Sequence, residues 1–458
     1  MADPSATSAR AAPSLRGLLS LAWPIVVSRS SQVVIGIADA TMVAHLGESA
    51  LAATTAGAMN TFTLFILPLG VVFIVSSFSS QHLGRGDLAA ARRYGFYGLG
   101  VAMATQVVGV AGIPFVDPVL LHFAFADDVR ELLEGYLVIR LWSGGAAIGM
   151  EALANYYGGL GNTRLPMRAS VVAMVLNVAG NWLLIDGHLG APAMGVRGAA
   201  LASALSTGVA FLGLLAVFLL ERRPADGRWP RLRAAEFLRM LRFGVPSGLN
   251  WFFEFAAFMF FVNVVVAGLG TTALASLMAV VQLNSVAFMP AFALASAAAI
   301  LVGQSIGAGR KDEVPHLVKL GFVAAGTWQG LVGILYLVAP RLIFAPFAPE
   351  ASSSGALLDV GARMLAFSAA WQLFDAAVAV LAESLRAAGD TAFVLWARVG
   401  AGWLVFVPGS WITVRMFGGG DIAAVAWLVL YLGLLAGVLL LRFRSGAWRR
   451  LELVEPTA

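Results

Sequence analysis

Residues 46–52 read LGESALA, and residues 269–275 read LGTTALA. A second pair of similar stretches follows in the same order, because residues 81–86 read QHLGRG and residues 304–309 read QSIGAG. In both pairs the two members lie 223 positions apart in a chain of 458 residues. Short matches that recur in order at one spacing indicate an internal repeat, so we expect two homologous halves.

The repeat also indicates where the halves lie. The triplet GNT at 161–163 recurs as GDT at 389–391, after a few inserted residues. The longest charged stretch lies between the halves and contains Pro224 and Pro230, which predicts a linker. The predicted organisation is a tail at 1–16, an N-terminal half at 17–220, a linker at 221–242, a C-terminal half at 243–442 and a tail at 443–458.

The composition places these halves in a membrane. The chain is 59% hydrophobic and only 12% charged, which is more apolar than a soluble domain could bury. A helix needs roughly 20 apolar residues to cross a bilayer, and β-barrel strands would alternate in character, which these runs do not. The runs predict twelve transmembrane helices at 17–46, 50–80, 94–116, 133–158, 166–187, 197–220, 243–268, 272–302, 318–340, 361–386, 392–414 and 422–442.

The predicted fold class is therefore an all-α integral membrane protein with two six-helix bundles. Because each half has an even number of helices, both halves point the same way across the membrane. They should be related by a pseudo-twofold axis along the membrane normal and enclose a central cavity. The first apolar run is too long for a cleaved signal peptide, so we expect it to be retained as the first span.

The basic residues predict the orientation. Most of them, including the cluster at 222–242 and also Arg398, fall on the side that both termini share. The positive-inside rule then places both termini in the cytoplasm of a bacterial inner-membrane protein, and the net charge of +5 needs no nucleic acid partner. The chain has no Cys, which excludes disulfides and thiolate metal sites.

Four acids lie deep inside the predicted spans: Asp39, Glu151, Glu254 and Asp375. Each costs roughly 2.5 to 3.5 kcal/mol at a helix centre, so they require an explanation. Buried ion pairs are one explanation, but Arg29 is the only cation predicted at a comparable depth. We therefore expect at least some of the acids to be protonated, hydrated in a cavity or bound to a cation.

Two of these acids should meet in the C-terminal half. With a rise of about 1.5 Å per residue, Glu254 and Asp375 lie at nearly the same level of the membrane. Such a pair could carry a proton between them or bind Na⁺ with both groups ionised. Nearby Trp371 and the aromatic run at 251–255 could line a pocket for flat organic cations.

A second polar group is expected in the N-terminal half. Asn177 and Asn181 are one helical turn apart and share a face, at a depth similar to that of Asp39. An Asp with two amides supplies oxygen ligands for Na⁺ or a proton relay, although the amides could instead only join adjacent helices. Glu151 has no such neighbours in sequence, and its role stays open.

These motifs resemble those of one transporter family over nearly the whole chain. The similar stretches are 21–53 with Asp39, 161–200 with Asn177 and Asn181, 243–254 with Glu254, and 372–386 with Gln372 and Asp375. They resemble the multidrug and toxic compound extrusion (MATE) transporters, particularly the NorM-like branch. Two features depart from the family pattern: Arg29 within the first span, and Leu277-Met278 where relatives commonly have a His-Gln pair.

The resemblance implies a secondary antiporter that expels organic cations in exchange for H⁺ or Na⁺. Asp39, Glu254 and Asp375 would carry the coupling ion or contact the substrate, with Asn177 and Asn181 supporting Asp39. By position, Ser203 stands where the family often has a Thr near this site. We count Glu151, Arg29, Trp371 and Gln372 as further candidates, and we expect a monomer in the lipid bilayer without a cofactor.

Two other functions are alternatives to the transport of cations. A lipid-precursor flippase of related architecture would need several cavity-facing cations for an anionic headgroup, and only Arg29 is predicted there. An intramembrane enzyme would need paired Asp or Ser/His/Glu motifs on neighbouring spans, and the five His residues lie in loops or at helix ends. No nucleotide-binding loop is present in the sequence, which argues against transport driven by ATP.

Overall fold

The computed structural model describes residues 14–123, 125–221, 231–348 and 354–454. Within these ranges eleven helical segments, and one bent pair of helices, are long and apolar enough to cross a membrane. The prediction of an all-helical membrane protein is confirmed. The segments are α1 (Leu15–Leu46), α2 (Glu48–Gly84), α3 (Leu88–Leu120), α4 (Asp127–Trp142 and Gly144–Gly159), α5 (Arg164–Ile185), α6 (Gly195–Leu220), α7 (Ala234–Leu269), α8 (Thr271–Gly307), α9 (Lys311–Val338), α10 (Gly355–Ala387), α11 (Thr391–Arg415) and α12 (Asp421–Arg444).

The glycines of the repeated motifs explain why the motifs recur. Gly47 and Gly270 have φ angles of 111° and 102°, and each separates the first and second helices of its half. Gly86 and Gly309 both have a φ of 77° at the turn after the second helix. Positive φ angles favour glycine because other residues are strained there. The repeated sequence therefore encodes the same two turns in each half.

The chain forms two compact units, described separately below. The N-terminal unit is Pro24–Gly248, and the C-terminal unit is Leu249–Ala458 together with the segment before Pro24. The boundary falls inside α7, which begins at Ala234 rather than at the predicted residue 243. Of the predicted linker and tails, residues 222–230, 1–13 and 455–458 lie outside the described residues.

The early start of α7 has a visible cause in the N-terminal unit. Arg93 on α3 donates two hydrogen bonds to Glu236, of 2.7 and 2.9 Å, and Tyr97 donates a third of 2.9 Å. Charge-assisted bidentate contacts of this kind are strong and directional. They fix the first turns of α7 against α3. The charged residues of this stretch had instead predicted a linker.

Helix α4 is bent by 49°, which the sequence analysis did not predict. Its first part begins at Asp127 rather than at residue 133, and the bend lies at Ser143. The next two residues are glycines in close contact with other helices: a Cβ on Gly144 would lie 2.6 Å from Phe65, and one on Gly145 would lie 2.6 Å from Gln106. The bend permits this close packing of α4 on α2 and α3.

The C-terminal unit has two wide helical turns. In α7 residues Phe261–Val266 are π-helical, and in α11 residues Gly400–Phe406 are π-helical. Such turns are rare and occur frequently at functional sites. Beyond α12, Trp448, Leu453 and Val454 are buried, so the described part of the predicted C-terminal tail packs on the unit.

Candidate cation-binding sites

Four buried polar side chains form one cluster in the N-terminal unit. Asn181 Nδ2 and Asn177 Nδ2 donate to Oδ1 of Asp39, at 2.6 and 3.1 Å, and Ser203 Oγ donates to Oδ2 at 2.8 Å. Asn177 Nδ2 also donates to Ser203 Oγ at 2.9 Å. Three helices supply this cluster: α1, α5 and α6. The structure thus brings together four of the residues predicted for this half, Asp39, Asn177, Asn181 and Ser203.

The packing of α5 on α6 explains how the cluster forms. A Cβ on Gly198 would lie 2.4 Å from the carbonyl oxygen of Leu184, and one on Gly180 would lie 2.9 Å from Ala202. Small residues allow transmembrane helices to approach closely, which places short polar side chains within hydrogen-bond distance. The helical spacing of Asn177 and Asn181 then directs both amides to one carboxylate.

The chemistry of the cluster suits one small cation. Asp39 accepts three hydrogen bonds from neutral donors, and Arg140 is its charged electrostatic neighbour. Oδ1 of Asn181 is buried without a hydrogen-bond partner. Carboxylate, amide and hydroxyl oxygens are ligands of hard cations, and rotation of the amides would turn their oxygens inward. The donor set therefore fits either Na⁺ or a proton on Asp39.

The C-terminal unit contains a second acidic group. Glu254 on α7 ion-pairs with Arg398 on α11, and Asp375 on α10 accepts a hydrogen bond of 3.0 Å from Gln329 Nε2. Asp375 interacts electrostatically with both Glu254 and Arg398. Glu254 and Asp375, which were predicted at one level of the membrane, thus belong to one electrostatic group. Arg398 and Gln329 are also members of this group, because each contacts one of the acids.

Arg398 corrects the sequence analysis. The charge pattern of the sequence predicts Arg398 at the cytoplasmic surface and Arg29 as the only cation at the depth of the acids. Arg398 is in fact only 8% exposed and contacts Glu254. A signal was available, because residue 398 lies seven residues into α11, which is about 10 Å along a helix. The expectation that Arg29 is the only cation at the depth of the acids is therefore wrong.

Glu151 is also paired, and it lies in the N-terminal unit. Arg29 Nη2 contacts Glu151 Oε1 at 2.5 Å, and the guanidinium lies 5.5 Å from the ring centre of Phe73. The pair explains why an Arg occurs within the first span. Glu151, whose role the sequence leaves open, thus has a cationic partner within the chain.

Of the remaining candidates, Gln372 belongs to a neutral network. Gln372 Nε2 donates to Asn284 Oδ1 at 2.6 Å, and Asn284 Nδ2 lies 3.4 Å from Ser368 Oγ. Trp371 is buried, whereas Met278, at the position that departs from the family pattern, is 40% exposed. Asn284 and Gln329 were missed because neither carries a charge. Among the described residues no group of three or more His, Asp or Glu side chains could hold a metal ion.

The comparison with known proteins agrees with this architecture. The MatE family model matches residues 24–183 and 246–412, one match in each half. The chain belongs to the MatE family. This membership confirms the resemblance stated from the motifs.

The relatives of this MatE protein include bacterial NorM proteins. A protein of Chromobacterium violaceum, described as probable multidrug resistance protein NorM, is 30% identical and the match covers 95% of this chain and 94% of that protein. A protein of Mesorhizobium japonicum with the same description is 28% identical, with coverages of 96% and 95%. Both matches span nearly the full length, which supports the NorM-like branch.

Solved MatE structures share the fold. A multidrug resistance MATE family transporter in an outward-facing conformation has a TM-score of 0.84 at 19% identity, with 98% of each chain covered. A transporter of the MOP superfamily from Pyrococcus furiosus has a TM-score of 0.83 at 20% identity, again with 98% of each chain covered. The shared fold is that of multi-pass membrane transporters.

Proposed function

We propose that this protein is a secondary active multidrug exporter that expels organic cations in exchange for H⁺ or Na⁺. Membership of the MatE family and full-length similarity to proteins described as multidrug resistance proteins support small-molecule export. The acids inside the membrane spans support a cationic substrate and a cationic counter-ion. The two cations would move in opposite directions because each binds more tightly to a different conformation of the transporter.

The environment of Asp39 is the observation that carries the proposal. Its carboxylate is buried and accepts hydrogen bonds from two amides and one hydroxyl. No ion pair to this carboxylate is present in the described part of the chain, and its three hydrogen-bonding partners are uncharged. Burying a carboxylate without an ion pair is costly, and Arg140 acts on Asp39 less strongly than burial does, so a cation that reaches the site is stabilised by the carboxylate.

Competition can couple the two fluxes. The coupling ion would bind Asp39 more tightly in one conformation, and the organic cation would bind the acids of the C-terminal unit more tightly in the other. Each cation then shifts the population toward the conformation that it prefers. Linkage requires that the effect be reciprocal, so each cation lowers the affinity for the other by the same factor. Alternating access then moves drug outward while H⁺ or Na⁺ moves inward.

The C-terminal unit would supply contacts for the organic cation. Asp375 provides a carboxylate that Gln329 orients, and Phe374 on the same helix exposes 41% of its surface. Aromatic faces attract cations by about 0.5 to 2 kcal/mol, more when water is excluded. Flat organic cations with delocalised charge suit this combination of a carboxylate and an exposed ring.

The proposal extends to location and assembly. The distribution of Arg and Lys favours a bacterial cytoplasmic membrane with both termini in the cytoplasm. Each unit contains its own candidate acids, which is consistent with transport by a monomer. No cofactor is needed, because the ion gradient supplies the energy.

Efflux from proteoliposomes tests the proposal. Vesicles loaded with ethidium would be exposed to a pH gradient or to a Na⁺ gradient, applied separately, with protein-free vesicles as the control. We expect one gradient to accelerate ethidium efflux several-fold. If ethidium efflux responds to neither gradient, and ethidium equilibrates no faster than in protein-free vesicles, the protein is not an antiporter of organic cations.

A further inference from the structure

The C-terminal unit contains a buried cation of its own beside the two acids. Arg398 is nearly inaccessible, contacts Glu254 directly and lies within electrostatic range of Asp375. A guanidinium stays charged at any physiological pH, and its planar donors match a carboxylate. Glu254 is therefore opposed by a positive charge that never leaves the protein.

The position of Arg398 is built into the packing of the two helices. Its segment of α11 runs directly into the π-helical turn at Gly400–Phe406. One turn beyond Arg398, the indole Nε1 of Trp403 donates a hydrogen bond of 3.1 Å to the carbonyl oxygen of Phe253 on α7. Phe253 immediately precedes Glu254 in the sequence. The same helix pair is thus fastened next to the ion pair, which keeps the guanidinium on its partner.

The charges of this group can be counted. Glu254 and Asp375 contribute two negative charges when ionised, and Arg398 contributes one positive charge. Gln329, which contacts Asp375, and Tyr431, which interacts electrostatically with all three charged residues, add none when neutral. With both acids ionised the group therefore carries one net negative charge, although the sequence presents two acids at this level of the membrane.

We infer that Arg398 is an internal counter-ion, which neutralises Glu254 in place of a transported cation. Only one negative charge is then left for the substrate, so that the C-terminal unit selects singly charged organic cations. This inference rests on the proposed function and names the charge class of its substrate. A monovalent cation neutralises the net charge of the group, whereas a dication would leave an uncompensated positive charge. The second charge of a dication would be repelled by Arg398 with no carboxylate left to oppose it, which discriminates against the dication.

The test compares two ligands on the purified full-length protein. The dissociation constants of tetraphenylphosphonium, a monocation, and of methyl viologen, a compact dication, would be measured at pH 8.5, where protons are scarce. The measured quantity is the ratio of the two affinities, because general damage to the fold weakens both. We expect the ratio of monocation affinity to dication affinity to be higher in the wild-type protein than in variants with more negative charge.

Four variants set the net charge of the group to known values, two of them different from that of the wild-type protein and two of them equal to it. R398Q adds one negative charge, and we expect it to raise the dication-to-monocation affinity ratio by roughly tenfold or more. E254Q removes one negative charge and should lower the ratio. The double variant E254Q/R398Q restores the wild-type net charge and should restore the ratio, and R398K keeps the charge and should leave the ratio nearly unchanged.

The outcomes separate this inference from the function on which it rests. If wild-type protein binds tetraphenylphosphonium but the ratio is the same in R398Q or in E254Q, the counter-ion role is wrong. Failure of the double variant to return to the wild-type ratio would overturn it as well. If R398Q does not fold, E254Q decides alone. If wild-type protein binds neither cation, the proposed function itself fails, and this inference fails with it.

Discussion

Asn181 donates a hydrogen bond of 2.6 Å to Oδ1 of Asp39, and both side chains are buried. Asn177 and Ser203 complete a shell of neutral donors around the same carboxylate. This shell fixes the carboxylate in place without neutralising it. A neutral shell is what distinguishes Asp39 from Glu151 and Glu254, which have Arg partners within the chain.

Replacing Asp39 by Asn removes the negative charge while keeping the size of the side chain. We expect D39N to lose ion-driven ethidium efflux by at least tenfold, because the carboxylate proposed to bind the coupling ion is no longer charged. The measurement is efflux under the gradient that drives the wild-type protein. D127N is the matched control, since its side chain is 91% exposed and it should transport normally. Normal efflux by D39N would exclude Asp39 from coupling.

Asn181 should tune the affinity for the coupling ion. N181A removes the shortest hydrogen bond to Asp39 and a buried amide oxygen, and we expect the ion concentration at half-maximal rate to change by about tenfold. The control is N263A, because Asn263 is exposed and bonds only to the backbone of its own helix. S203T retains the hydroxyl and should stay close to wild type. Identical ion dependence in N181A would assign the amide to helix packing alone.

Glu151 should act on stability rather than on coupling. E151Q leaves the partly buried Arg29 without its carboxylate partner, and breaking such a pair by one side costs on the order of 3 kcal/mol. We expect a clear loss of thermal stability in detergent. The measurement is size-exclusion chromatography of the protein after heating. The double variant R29Q/E151Q should recover much of this loss, since neither charge remains. A fully stable E151Q that does not transport would instead indicate a direct role in transport.

Two glycines in α6 give a matched test of helix packing. A Cβ on Gly198 would lie 2.4 Å from the carbonyl oxygen of Leu184, whereas a Cβ on Gly208 would meet no atom within 4 Å. We expect G198A to be destabilised by about 1 to 3 kcal/mol, because backbone atoms must move apart. G208A should be neutral or slightly stabilised. Equal melting temperatures of the two variants would contradict the close approach of α5 and α6.

The spans and turns could be predicted because their signals are local. Apolar runs give the helices, and the glycines at 47 and 270 mark turns that only a flexible backbone forms easily. The spacing of Asn177 and Asn181 likewise needs only helical geometry. The bend at Ser143 was not predicted, because it depends on the contacts of Gly144 and Gly145 with other helices.

The ion pairs of the acids could not be read from the sequence in the same way. Glu254 and Arg398 are 144 positions apart in the chain, and counting charges by side placed Arg398 at the surface. Arg29 and Glu151 were both recognised as unusual, yet nothing local pairs them. Partners on distant helices are chosen by tertiary packing, so their identity requires the three-dimensional structure.

Counter-transport without any imposed ion gradient tests the central claim most directly. An ethidium gradient would be imposed across proteoliposomes, and the movement of H⁺ would be followed with an internal pH dye and that of Na⁺ with a radioactive tracer. We predict that ethidium flow drives one of the two ions in the opposite direction, and that D39N abolishes this ion movement. Ethidium flow through wild-type protein without opposite movement of either ion would contradict exchange at Asp39.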